Sequence, residues 1–210
     1  MNSENMTYDI LRELFNISVG KAADILSDVV SQKILLNVPD VRILDLQKEA
    51  LALEEYLSSV KGGTLMVSSL SFEENYTGRA NLIFPAEKMK VFAGLCLQEE
   101  RAQDDGLEFN DIDFDVIREM GNIILNCIMG ETGNFLNIEF KYSLPEVKIF
   151  KRSELKNSIH KNQNGYMLIL SISFIIDHTE IEGAIIVDLT LDSMKDLLLK
   201  VNQLEEEYNE

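Results

Sequence analysis

Tryptophan is absent from these 210 residues, while cysteine and histidine occur twice each and proline three times. Two cysteines cannot build a disulfide scaffold, and a chain of this length with 46% hydrophobic residues needs none to hold a core. Cys96 and Cys127 fall in apolar, helix-like surroundings that suit free buried thiols in a reducing compartment. Neither His160 nor His178 stands near them in a recognisable arrangement, so a cysteine nucleophile is not indicated. Positive charge is scarce too, with 19 Lys and Arg against 36 Asp and Glu and a formal net charge of -17. That balance repels phosphate backbones and anionic lipid, which argues against nucleic acid and membrane surfaces as partners. Lys148, Lys151, Arg152 and Lys156 form one local basic patch against this trend. No run reaches the roughly 18 apolar residues of a membrane span, and the opening MNSENMTYDILREL lacks the basic and apolar regions of a secretion signal. A cytoplasmic location is expected.

The usual chemical signatures are missing as well. No His and Cys set has zinc spacing, no Gly-rich loop of the P-loop type is present, and no Gly-x-Ser-x-Gly elbow occurs. The acidic run Asp111-Ile112-Asp113-Phe114-Asp115 invites a calcium reading, but an EF-hand loop starting at Asp111 would place Val116 where Gly is needed and Asn122 where Glu is needed. No metal site is expected.

What the chain does have is one motif written twice. Asp9-Ile10-Leu11-Arg12-Glu13-Leu14-Phe15-Asn16 returns as Asp115-Val116-Ile117-Arg118-Glu119-Met120-Gly121-Asn122, so Asp, Glu and Asn recur at an offset of 106. Positions i, i+4 and i+7 share one face of a helix, so each copy presents two carboxylates and a carboxamide along a polar stripe. Leu11, Leu14 and Phe15, or Ile117, Met120 and Ile124, can turn toward a core.

Hydrophobic periodicity extends the repeat over the rest of the chain. The first half reads as a helix over Thr7–Ser31, strands over Ile34–Val38 and Val41–Leu46, and a helical stretch over Glu49–Leu57. A strand pair over Thr64–Phe72 and Arg79–Phe84 follows, joined by a turn over 73–78, and then a helix opened by Pro85 and running through Leu97. The second half reads as a helix over Ile112–Met129 and strands over Leu136–Tyr142, Val147–Arg152 and Tyr166–Ile176. A turn over Asp177–Glu182, a strand over Ala184–Leu189 and a helix over Leu191–Leu204 complete it. The polar stretch 99–111 is the linker between repeats at about 7–98 and 112–204, which together make a single domain over 1–210. The fold expected is α+β, an internally duplicated arrangement of α and β layers with pseudo-two-fold symmetry.

Within the motif the residue types differ in what they imply. Asp9 and Asp115, like Asp111 and Asp113, stand about where the helices begin, where the macrodipole alone favours an acid. Arg12 and Arg118 read as solvated. Glu13, Asn16, Glu119 and Asn122 lie deeper, where neither the dipole nor helix propensity explains an asparagine. A glutamate can ion-pair with a partner's lysine, and a helical carboxamide can both donate to and accept from one water. The pair suits water-mediated chemistry on a group delivered by another protein.

Leu14 through Ser27 resembles the first signature helix of the CheC/CheX/FliY family of chemotaxis phosphatases, and Glu119-Met120-Gly121-Asn122-Ile123-Ile124 resembles the second. Both copies fit that family's Asp/Ser-x-x-x-Glu-x-x-Asn pattern, and two complete motifs are closest to the CheC branch. The segments Ala80–Leu97 and Glu182–Leu199 are similar to the family as well. The resemblance implies hydrolysis of the aspartyl phosphate of a CheY-type response regulator. Glu13 and Glu119 would engage the receiver's lysine, Asn16 and Asn122 would orient the attacking water, and Asp9 and Asp115 would help bind the partner. The magnesium would belong to the receiver, leaving this chain with no cofactor of its own. The receptor deamidase CheD is a second partner implied by the resemblance, and a non-catalytic adaptor for CheD or for phosphorylated receiver is the alternative. FliY-like proteins carry a further C-terminal switch domain, which this chain is not expected to have. Phe15 and Ser18 depart from glycines common in the family, and Phe15 beside Asn16 makes the second motif the stronger expectation.

Overall fold

The computed structural model describes residues 3–46, 48–49, 63–74, 77–99, 107–159 and 165–209. The first motif helix, α1 (Ser3–Val30), buries Leu11, Phe15, Val19, Ala22 and Leu26 at spacings of three and four, one continuous stripe. It ends at Ser31, whose φ is 53°, and the Ser27 hydroxyl accepts from the Ile34 N–H at 2.9 Å, tying the helix end to the next strand. Strands β1 (Ile34–Asn37), β2 (Val41–Asp45), β3 (Thr64–Glu74) and β4 (Gly78–Pro85) follow, then α2 (Ala86–Leu97), with Pro85 just before its first turn. The second motif helix, α3 (Asp111–Leu136), opens with a reciprocal capping box between Asn110 and Asp113 and stops at Asn137, whose φ is 57°. Strands β5 (Phe140–Tyr142) and β6 (Glu146–Lys151), a short helix α4 (Arg152–Ile159), the hairpin β7 (Tyr166–Ile176) and β8 (Thr179–Leu189), and α5 (Leu191–Asn209) follow among the described residues.

All pairings in the eight-stranded sheet are antiparallel, in the order β1-β7-β8-β4-β3-β5, with β2 added to β7 and β6 to β3. Exchanging β1 with β5, β3 with β7 and β4 with β8 returns the same order reversed. The central register makes the symmetry local. Asn81 pairs with Ile186, its own mate at an offset of 105, and the flanking pairs Ala80–Val187 and Leu82–Ile185 interchange under the same offset. A pseudo-two-fold axis therefore passes through the β4–β8 pair, and the fold is the expected duplicated α+β arrangement.

Strand alternation sends one set of side chains to each face. Met66, Leu70, Leu82, Phe84, Leu170 and Phe174 join the core with α1, α2, α3 and α5. Leu65, Val67, Ile83, Met167, Ile169 and Ile186 form the opposite layer with Leu44, Leu46 and Leu155 of α4. Burial on both faces is why these strands read as nearly unbroken apolar runs.

Three expectations need correction. The second motif helix runs on through Gly130 and Gly133 to Leu136, so the strand expected from Leu136 starts only at Phe140. Gly133 serves close packing there, since a Cβ would lie 2.8 Å from the Ile138 carbonyl. The turn expected over 177–182 is the two residues Asp177 and His178, both at positive φ, and β8 begins at Thr179. The strand expected over Val147–Arg152 ends at Lys151, and Arg152 opens the short polar helix α4. The helix expected over Glu49–Leu57 falls, beyond Glu49, outside the described residues, as do residues 75 and 76 of the first hairpin turn and 100–106 of the linker.

Candidate functional site

Both motif helices bring their polar stripes to the surface. Glu13 and Glu119 are exposed, and Asn16 and Asn122 are half-buried at the foot of each stripe. In each copy the Arg donates to the Asp three residues before it: Arg12 Nη2 to Asp9 Oδ1 and Arg118 Nη1 to Asp115 Oδ1, both at 2.6 Å. The two arginines are thus paired with their own motifs rather than simply solvated. Nor do the aspartates mark helix starts, because α1 begins at Ser3 and α3 at Asp111, placing Asp9 and Asp115 past the first turn.

The asparagines are held differently. Asn16 Nδ2 donates to the Arg12 carbonyl at 2.8 Å and to the Val38 carbonyl at 3.1 Å, while its Oδ1 accepts from the Val38 N–H at 2.8 Å. Its carboxamide grips the backbone just after β1 the way a strand would. Asn122 grips no backbone among the described residues; its Oδ1 accepts from Asn126 Nδ2, one turn further along α3, at 2.8 Å. The residue equivalent to Val38 at the 106 offset is Leu144, and the two could hardly differ more: Val38 is 1% exposed and Leu144 86%. The second loop is drawn onto β3 instead, where the Ser143 N–H donates to the Ser71 carbonyl at 2.8 Å and the Ser143 hydroxyl accepts from the Ser71 N–H at 3.0 Å.

Phe15 is 1% exposed and lies in the core, so it does not crowd the first polar stripe. Gly121 answers a different need, since a Cβ there would lie 2.2 Å from Ser68 Oγ and 2.7 Å from its Cβ. Ser18 is buried too, its hydroxyl donating to the Leu14 carbonyl at 2.8 Å.

Beside the second motif a groove of about 370 Å³ is lined by Lys21, Asn126, Cys127, Glu131, Phe140 and Tyr142, among others. Lys21 of α1 and Glu131 of α3 pair across it at 2.6 Å. Cys127 is half-buried, and desolvation, reinforced by Glu131 and opposed by Lys21, raises its pKa. Burial pushes the Cys96 thiol up to about 12. Neither thiol has the depressed pKa of a nucleophile. No group of three His, Cys, Asp or Glu side chains gathers as for a metal among the described residues, and no described helix is long and apolar enough to cross a membrane.

Sequence reasoning passed over Asn126 and the loops. The loops were signalled: Pro39 and Pro145, two of only three prolines, also stand 106 apart. Asn126 had no such signal, because its equivalent in the first half is Gly20.

A model of the CheC-like family matches residues 6–43, which run from the first motif helix into β2. The CheY-P phosphatase CheC of Bacillus subtilis (strain 168) is 24% identical over 143 residues, a stretch spanning 67% of this chain and 65% of that protein. Thermotoga maritima FliY matches the fold with a TM-score of 0.72 at 19% identity, over 97% of this chain and 98% of that one. The FliM middle domain from H. pylori matches at 0.61 with 14% identity, over 95% of this chain and 99% of that one. The CheX–CheY–BeF3–Mg2+ complex from Borrelia burgdorferi provides a match at 0.51 with 16% identity, over 85% of this chain and 96% of that one. The resemblance to the CheC/CheX/FliY family read from the two motifs is thus present in sequence and in fold.

Proposed function

We propose that this chain hydrolyses the aspartyl phosphate of a CheY-type response regulator, with Glu119 and Asn122 as the principal site. The observation that carries this reading is that α3 offers an exposed carboxylate and, one turn on, a carboxamide that grips no backbone among the described residues. Support comes from the CheC relative described as a CheY-P phosphatase and from a neighbour of like fold solved with CheY.

In this reading Glu119 pairs with the receiver's active-site lysine and sets the docking register. Asn122 holds a water in line with phosphorus. The water oxygen forms the new P–O bond, the bond to the aspartyl oxygen breaks, and the products are a carboxylate and inorganic phosphate. Magnesium comes with the receiver and neutralises charge on the phosphoryl oxygens. The contribution of this chain is positioning, comparable to a glutamine that orients water in GTP hydrolysis. Glu13 and Asn16 form the second-ranked site, which needs the Val38 loop to release Asn16. Asp9 and Asp115 are assigned to the partner-binding rim, each carrying its arginine.

A binding-only reading, as an adaptor for phosphorylated receiver or for CheD, draws on the clamped state of Asn16 and on the fold likeness to the FliM middle domain. Phosphate release from phosphorylated chemotaxis receivers, followed at fixed magnesium with and without the chain, separates the two. Acceleration is expected. If every receiver of the same organism decayed at its intrinsic rate, the binding-only reading would stand instead.

A further inference from the structure

An amide that orients water must itself be oriented, and the two motifs solve this in different ways. In the first, the backbone of Val38 fixes Asn16 on both its polar atoms. In the second, a single hydrogen bond among the described residues does it: Asn126 Nδ2 to Asn122 Oδ1 at 2.8 Å. Asn122 and Asn126 are four apart on α3, so helix geometry alone keeps them stacked, with no loop required. The contact occupies one lone pair of Asn122 Oδ1 and fixes the plane of its carboxamide, leaving its Nδ2 for a ligand.

Asn126 is otherwise a poor choice for its place. Its Oδ1 is buried with no hydrogen-bond partner among the described residues, a liability that an apolar or smaller side chain would avoid. The equivalent residue of the first half is Gly20, where nothing lies within 4 Å of the position a Cβ would take. A side chain thus fits at either place, and only the half whose asparagine lacks a backbone clamp carries a polar one.

We propose that Asn126 is a positioning residue for Asn122, setting the orientation of its carboxamide and with it the rate at the second motif. The inference rests on the reading of that motif as the phosphatase site.

The test uses the full chain carrying Asn16→Ala, so that only the second motif acts. Adding Asn126→Ala is expected to lower kcat on phosphorylated receiver roughly 10-fold while leaving KM unchanged, since orientation is lost and docking through Glu119 is kept. Asn126→Gln, which retains the amide, is expected to restore part of the rate. The melting temperature should not fall with Asn126→Ala, because the unpaired buried oxygen goes with the side chain. Independently of turnover, the 15N order parameter of the Asn122 side-chain amide is expected to drop in Asn126→Ala. An unchanged rate, a rise in KM matching the loss in kcat, or an unchanged Asn122 order parameter would overturn the proposal. If the parent protein hydrolyses nothing, the functional reading fails by itself, and the amide order still decides whether Asn126 positions Asn122.

Discussion

The two motif helices carry the same Asp, Arg, Glu and Asn at the same spacing, yet they hold the asparagine in two different states. In the first half the β1–β2 loop folds against α1, Val38 is buried, and Asn16 spends its polar atoms on the loop backbone. In the second half the β5–β6 loop is fastened to β3, Leu144 is exposed, and among the described residues Asn122 hydrogen-bonds through its side chain only to Asn126. A polar motif therefore specifies what a helix presents, while the loop opposite decides whether that group is available. Duplication with divergence of one loop gives a chain one clamped copy and one open copy of the same surface.

The largest effect that would sharpen this comparison concerns the residues next to the asparagines. Phe15→Gly removes a fully buried ring and adds a helix-breaking residue. A loss of about 3–5 kcal/mol is expected for the cavity, with about 1 kcal/mol more for propensity. Urea unfolding followed by circular dichroism measures it. A stable Phe15→Gly variant with raised activity would mean that the ring restricts the first site and is not a core element.

Next in size is the difference between the asparagines themselves. Asn122→Ala in an Asn16→Ala background should cost roughly 10²-fold in turnover, about 2.7 kcal/mol of transition-state stabilisation. Asn16→Ala should act mainly on stability, because it strips partners from the Val38 backbone, and about 1–3 kcal/mol is the expected loss. Phosphate-release rates beside thermal melts read both. The comparison breaks if Asn16→Ala lowers turnover as much as Asn122→Ala while leaving the melt unmoved.

Much of the architecture could be read in advance, for identifiable reasons. The helices announce themselves by their burial period and the long strands by their apolar runs, while the pairing of Asn81 with Ile186 is a register that no sequence reading gave. Hairpin details escaped, because Asp177 and His178 turn at positive φ without a glycine between them. The length of α3 escaped because Gly130 and Gly133 lie within the helix instead of ending it, and Gly133 packs closely against the Ile138 carbonyl. Glu13, Asn16, Glu119 and Asn122 were legible as types and as surface residues. The clamped state of Asn16 was not, since it depends on a backbone 22 residues away that no local pattern encodes. Phe15 beside Asn16 was read as favouring the second motif, whereas its ring lies in the core and Gly121 before Asn122 answers to Ser68 beneath it.

That contact gives the next effect. Gly121→Ala would place a Cβ 2.2 Å from Ser68 Oγ, and the shift of α3 away from β3 should cost about 1–3 kcal/mol. Ser68→Gly in the same chain should recover much of it, because both contacting atoms are removed. Chemical denaturation of the single and double variants supplies the cycle. Additive losses would show that Ser68 is not what Gly121 accommodates, and that the second helix approaches the sheet for another reason.

The smallest effect tests the part of the motif that is the same in both halves. The Asp9–Arg12 and Asp115–Arg118 pairs have the same length, the same i,i+3 spacing and side chains about half exposed or more. Exposed ion pairs of this kind contribute about 0.2–1 kcal/mol, so Asp9→Ala and Asp115→Ala should each lower stability by no more than that and by equal amounts. The loss should shrink in high salt as screening weakens the pair. Turnover can separate them where stability cannot. Asp115→Ala frees Arg118 beside the site assigned to the receiver, whereas Asp9→Ala frees Arg12 beside a clamped asparagine. A rise in KM for phosphorylated receiver with Asp115→Ala alone is the outcome expected of a partner-binding rim at the open copy. Equal KM changes from the two substitutions would mean that the receiver docks on both copies alike, and the clamp on Asn16 would then have to open on contact.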